Sequence, residues 1–391
     1  MRITLLSNGH GEDVVGALLA EAFLECDDTL ELRAFPTVGR GDAYERLGVP
    51  ILGPRRALPS GGFMLHSLNA FQQDMRAGFV PMTAAQLRAL RGLDTDVLIV
   101  VGDVYALLLS SLVGTRQRFY VQTLVSAWQR RPRNLLQSGP LGLNRYFMER
   151  FSAPERLLMR RLARHSYVRD APTAALLKTF GLAVSALGNP MLDALRPAAP
   201  LTLPLPLKPP VVALLPGTRS HRFVSLEAMV RALASWSEAT GLVAWTDDAP
   251  PAGRNWTPVA DGIWQGAENV YLLSDRFAEV LEAAQLALGT AGTAHEQAAA
   301  SGLPVVAFAA PPLYTPAFLA NQGRLLGAAL SVCDAEPQSV ADTLRALWHD
   351  KDRYRRAAAA GRERMGAAGG GAAIARDVLA RAGETSTRTS P

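Results

Sequence analysis

Short apolar runs recur along this chain, with amphipathic stretches between them. Residues 3–6, 30–34, 97–101, 119–123 and 166–168 carry the first series. The run Val97-Leu-Ile-Val-Val101 is uninterrupted, the pattern of a parallel strand buried on both faces. Between the runs, residues 13–24 place Val14, Leu18, Leu19 and Phe23 on one side at helical spacing, and residues 83–90 are also helical. Strands alternating with helices predict a doubly wound α/β domain.

The pattern stops at Arg196-Pro-Ala-Ala-Pro-Leu-Thr-Leu-Pro-Leu-Pro-Leu-Lys-Pro-Pro210. So many prolines can continue neither a helix nor a central strand, so 196–210 reads as a linker. A second series then begins, with strands at 211–215, 242–246, 270–272, 286–288 and 304–308 and a helix over 226–240. The predicted division is an N-terminal domain at 1–195, the linker, and a second domain at 211–355. A C-terminal helix and frayed tail fill 356–391, and that helix is free to pack back on the first domain. Residues 339–382, rich in alanine and arginine, are expected to be helical.

With 391 residues, the chain is too long for one ordinary core. Its 49% hydrophobic and 19% charged residues are globular proportions. Cys26 and Cys333 match no metal spacing, which suits a reducing, cytoplasmic compartment. The start, Met1-Arg-Ile-Thr-Leu-Leu-Ser7, reads as a strand, its apolar run being too brief for a secretory leader. No stretch has the roughly 20 consecutive apolar residues of a membrane span.

The net charge of +5 is unevenly placed: residues 116–165 hold eleven arginines against only Glu149 and Glu155. Aromatic residues interleave with them, including Trp128 beside Arg130 and Arg131. Basic and aromatic groups together suit contact with an anionic membrane surface better than with nucleic acid. A solvated helix face with core aromatics is the alternative.

Five turns at strand ends are candidates for chemistry. In Ser7-Asn-Gly-His-Gly-Glu-Asp13, Gly9 and Gly11 allow close backbone approach. The acidic helix start makes this loop a poor phosphate cradle and suits the hydroxyls of an acceptor. His10 is a candidate general base, or a structural loop histidine. Asp103, after the buried run, is either a desolvated base or the cap of the next helix. Asn189, in Gly188-Asn-Pro-Met-Leu-Asp193, belongs to a turn former that either positions acceptor or is structural. In Leu214-Leu-Pro-Gly-Thr-Arg219, Gly217 turns the chain and Arg219 offers a fork of donors to a diphosphate.

The most informative stretch is Leu288-Gly-Thr-Ala-Gly-Thr-Ala-His-Glu-Gln-Ala-Ala-Ala-Ser-Gly-Leu-Pro304. Gly289 and Gly292 permit a sharp turn into a helix opening at about Thr293. The free N–H groups there form an anion site. Glu296, one turn in, stands where a carboxylate accepts ribose hydroxyls. Asn321 and Gln322, further on, are candidates for leaving-group or sugar oxygens. There is no HxH, HExxH, DxD or Cys/His cluster, so neither a metal nor another cofactor is expected.

In this order the motifs resemble the GT-B glycosyltransferases, and within them the lipid-A-disaccharide-synthase-related group. The likeness runs over most of the chain. Its specific parts are Leu214-Leu-Pro-Gly-Thr-Arg219 and Gly289-Thr-Ala-Gly-Thr-Ala-His-Glu296 with Gly302-Leu-Pro304. The resemblance implies two Rossmann-like domains facing across a cleft. It also implies a metal-independent, inverting transfer from a UDP-sugar to a lipid acceptor at the cytoplasmic face of the membrane. Gly292, Thr293 and Arg219 would then face the diphosphate and Glu296 the ribose. Asp103, or else His10, would deprotonate the acceptor. The acceptor half departs from the family. The first loop of the lipid A enzyme reads Ser-Gly-Glu-Ala-Ser-Gly-Asp, and residues 55–82 here have no counterpart. The alternatives are a UDP-sugar 2-epimerase and a non-catalytic UDP-sugar or lipid binder.

Overall fold

The computed structural model describes residues 1–55, 72, 75–76, 78–129, 151–195, 207–219, 221–312 and 314–386. The chain divides into two compact units: Met1–Asp193 with Ala368–Pro391, and Ala194–Ala367.

The first unit is built on six parallel strands: β1 (Arg2–Ser7), β2 (Glu31–Pro36), β3 (Asp94–Val101), β4 (Gly114–Gln122), β5 (His165–Val168) and β6 (Val184–Ser185). Their order across the sheet is β2-β1-β3-β4-β5-β6. The connecting helices are α1 (His10–Cys26), α2 (Asp42–Arg46), α3 (Phe79–Arg91), α4 (Val104–Ser110), α5 (Ala153–Leu162) and α6 (Ala171–Lys178). The sheet's central strands are buried on both faces: Ile3, Leu5, Val97 and Ile99 join one core and Leu6, Leu98, Val100 and Tyr120 the other. This is why 97–101 lacks alternation.

The second unit holds β7 (Val211–Leu215), α7 (Arg222–Ala234), β8 (Thr240–Trp245), β9 (Thr257–Ala260), β10 (Ile263–Ala267) and β11 (Val270–Ser274). These are followed by α8 (Phe277–Ala283), β12 (Leu286–Gly289), α9 (Gly292–Ala300), β13 (Val305–Ala307), α10 (Pro316–Leu326), β14 (Leu330–Val332), α11 (Pro337–His349) and α12 (Lys351–Met365). The sheet order is β14-β13-β12-β7-β8-β11-β10-β9, with β10 antiparallel to both its neighbours. Without that β9–β10 hairpin, the order is that of a dinucleotide-type doubly wound fold.

Three sequence expectations change. The helix expected over 226–240 ends at Ala234, because Trp236 turns into the core at 2% exposure and Thr240 already opens β8. The tail is not one helix. Asp350 caps α12 through Arg353 N–H (2.9 Å), and Gly366 ends it at φ 81°. A separate helix, α13 (Gly370–Ser386), packs on α1 and gives Ile374, Ala375 and Val378 to the first unit's core. The second unit therefore runs to Ala367 and not to 355. Its last helix is seated on α9 at Gly361, where a Cβ would fall 2.2 Å from the Ala299 carbonyl oxygen.

The start of α13 is held by Asp193. One carboxylate oxygen accepts from Gly371 N–H (2.7 Å) and the other from Gly369 N–H. At Gly370 a Cβ would lie 2.7 Å from the Gly188 carbonyl carbon, so only glycine allows this approach. The Pro-rich stretch 196–206 and residues 59–65 lie outside the described residues.

Candidate functional site

Each sheet has one place where its strand order reverses, and ligands of such folds bind there at the strands' carboxyl ends. In the second unit the reversal lies between β7 and β12. The loops leaving these two strands are tied together. Thr290 N–H donates to Leu215 O (3.1 Å), Thr290 Oγ1 to Pro216 O (3.3 Å), and His221 Nε2 meets Thr290 O at 2.9 Å. Gly217 adopts φ 80°, and a Cβ there would press on Ala291 Cβ at 3.2 Å.

Helix α9 opens from this junction, one residue earlier than Thr293. Its N-cap is Ala291, and no side chain caps it. The first-turn N–H groups lack intrahelical partners by geometry. They present partial positive charge at the switch point. Thr293 is exposed and Gly292 half-buried, and a Cβ on Gly292 would fall 2.9 Å from the Phe318 ring. Arg219 is exposed on the neighbouring loop. Gln322 Nε2 donates to Glu296 Oε1 (3.3 Å), which fixes the carboxylate one turn into the helix. Asn321 Oδ1 accepts from Arg324 NH2 (2.7 Å).

In the first unit the reversal lies between β1 and β3. Asn8 follows β1 and Asp103 follows β3, and Asn8 Nδ2 donates to Asp103 Oδ1 at 2.7 Å. The same oxygen accepts Tyr105 N–H (2.9 Å) and Ala106 N–H (3.3 Å), so Asp103 is the cap of α4. Among the described residues no hydrogen bond uses its Oδ2. Gly102, at φ 146°, makes the contact possible: a Cβ would lie 1.9 Å from Asn8 Oδ1.

The surroundings are acidic and dry. Burial, with added repulsion from Asp103, raises the Glu12 carboxyl above its ordinary range. Burial pushes Asp13 up to about 7, reinforced by Glu12 and Asp42 and opposed by a 2.5 Å bond from Ser7 Oγ. Tyr44 OH completes that network at Ser7 Oγ (3.1 Å). Glu155, fully buried, is also pushed up to about 7 by burial, with Tyr120 OH 3.2 Å from its Oε1.

The other expected residues separate. His10 is exposed at the first position of α1, its ring against Gly39. A Cβ on Gly9 would meet the Glu12 carboxylate at 2.0 Å, whereas Gly11 faces open space. Asn189 is buried at 1% exposure, and its Oδ1 accepts from Met191 N–H (3.3 Å) within the turn. Trp128 is half-buried in a 3-10 turn, and Arg130 and Arg131 lie outside the described residues. No helix among the described residues is long and apolar enough to cross a membrane.

Sequence reasoning assigned no role to Asn8, Glu155, His221 or Tyr314. Only Glu155 carried a signal: Ser152-Ala-Pro-Glu155 is a capping box, with Ser152 Oγ accepting Glu155 N–H at 3.3 Å.

No protein-family model and no curated protein matches the chain. Solved structures do. The calicheamicin glycosyltransferase CalG4 superposes with a TM-score of 0.60 at 18% identity, over 100% of this chain and 99% of that one. A protein described as a UDP-N-acetylglucosamine 2-epimerase from Listeria monocytogenes gives 0.55 at 15% identity, over 100% and 98%. The UDP-GlcNAc 2-epimerase of Neisseria meningitidis, solved with UDP-GlcNAc bound, gives 0.53 at 13% identity, over 97% and 100%. The chain therefore has the two Rossmann-like α/β domains common to GT-B glycosyltransferases and these epimerases.

Proposed function

We propose that the protein is a glycosyltransferase that moves a sugar from a UDP-sugar to a lipid acceptor, resembling lipid-A-disaccharide synthase. The observation that carries the proposal is the uncapped start of α9 at the β7/β12 reversal, bordered by Gly217 and by Glu296. A helix N-terminus with an adjacent arginine stabilises the charge that develops on departing UDP, which is the part a metal plays elsewhere. Gly292, Thr293 and Arg219 are assigned to the diphosphate and Glu296 to the ribose. Asp103, with His10 as second candidate, takes the acceptor proton. The acceptor oxygen attacks the anomeric carbon, the glycosidic bond to UDP breaks, and configuration inverts. The arginine-rich segment 116–165 supports a peripheral site on the anionic inner face of the membrane.

The likeness to UDP-GlcNAc 2-epimerases favours a second reading, isomerisation of a UDP-sugar. Thermal stability against UDP, GDP, ADP, UDP-glucose, UDP-galactose and UDP-GlcNAc tests the shared part. A ligand at about 100 times its Kd adds about 2.7 kcal/mol. Stabilisation by uridine compounds alone is expected, and no response to any of them overturns both readings. Incubation with UDP-GlcNAc alone separates them, since only an epimerase yields the C2 epimer without an acceptor.

A further inference from the structure

His295, the residue before Glu296, is fully buried in α9. Its Nδ1 lies 2.7 Å from Tyr314 OH, and its Nε2 faces Gly289, where a Cβ would fall 2.4 Å away. Burial lowers this imidazole to about 4, so the ring is neutral at physiological pH. Burial and the Glu296 charge raise the Tyr314 hydroxyl above its ordinary value, so it keeps its proton and donates to Nδ1. Tyr314 is itself fixed: its N–H and C=O pair with Ala310 at 3.1 and 2.8 Å. Its ring touches Phe318 of α10 (centroids 4.9 Å apart) and lies nearly parallel to His221 (6.4 Å, 18°). His221 in turn holds the Thr290 carbonyl. This side chain thus touches α9, α10 and the β7 loop, and through His221 it is linked to the loop after β12.

We propose that Tyr314 is a positioning residue. Through His295 it sets the rotation of the first turn of α9, and with it the direction of the Glu296 carboxylate. The inference rests on the reading of Glu296 as the ribose contact. Gln322 holds Glu296 from the α10 side, and Tyr314 holds the helix that carries it. Loss of the Tyr314 hydroxyl leaves the uncapped N–H groups in place and disturbs the aim of Glu296. The effect falls on ribose recognition more than on diphosphate binding.

The test is the ratio of affinities for UDP and 2′-deoxy-UDP, measured calorimetrically. The wild-type protein is expected to prefer UDP roughly tenfold or more, the value of a hydrogen bond to a charged acceptor. Tyr314→Phe removes only the hydroxyl and is expected to bring the ratio to within about twofold of unity. Overall destabilisation alone weakens both ligands alike and leaves the ratio intact. His295→Leu removes the acceptor from the other end and is expected to do the same, so it supplies the reading if Tyr314→Phe does not fold. His295→Gln keeps an acceptor for Tyr314 and is expected to retain part of the preference. A wild-type preference that survives unchanged in both Tyr314→Phe and His295→Leu overturns the positioning role and leaves Glu296 on the ribose. Equal wild-type affinity for the two nucleotides overturns the Glu296 assignment, and the positioning role with it.

Discussion

Asn8 and Asp103 are 95 residues apart in sequence and 2.7 Å apart in the structure, Nδ2 to Oδ1. The pair ties together the loops that leave β1 and β3, where the strand order reverses. Oδ1 takes Asn8 and two backbone N–H groups of α4. In the proposed transfer, Oδ2 is the oxygen that takes the acceptor proton. Asp103→Ala removes the cap as well, at a cost of about 1 kcal/mol, so it mixes stability with chemistry. Asp103→Asn keeps an acceptor at Oδ1 and removes the charge. It is expected to lower transfer at least 100-fold, the scale of general-base catalysis, with UDP affinity unchanged. Activity close to wild type in the Asn variant shows that Asp103 is not the base.

The clasp at the start of α13 gives a prediction independent of function. Asp193 supplies both acceptors for Gly369 and Gly371, and Asp193→Ala costs about 1 kcal/mol or somewhat more. The loss falls on the attachment of α13 to α1. Limited proteolysis is expected to cut the variant faster near residues 366–369 while the second unit stays intact. An unchanged rate of cleavage there shows that the α1–α13 apolar contacts suffice without the carboxylate.

The doubly wound fold was legible because fully buried parallel strands such as 97–101 are unbroken apolar runs and the turns between elements carry glycine. The hairpin β9–β10 was not. Thr257–Ala260 is the exposed edge strand and Ile263–Ala267 its half-buried neighbour, and proline, glutamine and glycine interrupt both, so no apolar run marks them. The β7/β12 junction was legible in Gly217 and Gly292, because backbone turns leave glycine signatures. The supports behind it were not. His221, His295 and Tyr314 meet only through tertiary contacts, and nothing local distinguishes them from ordinary loop or core residues.

Acid and base conditions should act on the first unit in a definite direction. Asp13 and Glu155 have folded values of about 7, against roughly 4 in an unfolded chain. The folded state therefore holds protons that the unfolded state releases. The stability these groups contribute is complete below about pH 4 and is lost as pH rises to about 7. The melting temperature of the first unit is expected to be higher at pH 5 than at pH 8. Asp13→Asn keeps the Ser7 contact without the charge. It is expected to raise stability at pH 8 and to flatten the profile. A wild-type melting temperature that rises between pH 5 and pH 8 contradicts the raised values.

Glu296 is where the donor proposal is most exposed to test. Its carboxylate is held by the Gln322 amide; Gln322 is 5% exposed, and among the described residues its amide oxygen has no hydrogen-bond partner. Glu296→Ala removes a charged acceptor from the nucleotide and strands the Gln322 amide at the same time. Hydrogen bonds to charged groups contribute about 1.5–3 kcal/mol, so UDP affinity is expected to fall roughly 10- to 100-fold. Glu296→Gln separates the two effects, because it restores a partner for Gln322 without the charge. It is expected to bind UDP more weakly than wild type and more tightly than the Ala variant. Affinity for inorganic diphosphate should be equal in all three proteins, since the N–H groups of α9 and the Arg219 side chain are untouched. Unaltered UDP binding in Glu296→Ala moves the ribose elsewhere on the unit, while a parallel loss of diphosphate binding means that the substitution has disordered the start of α9.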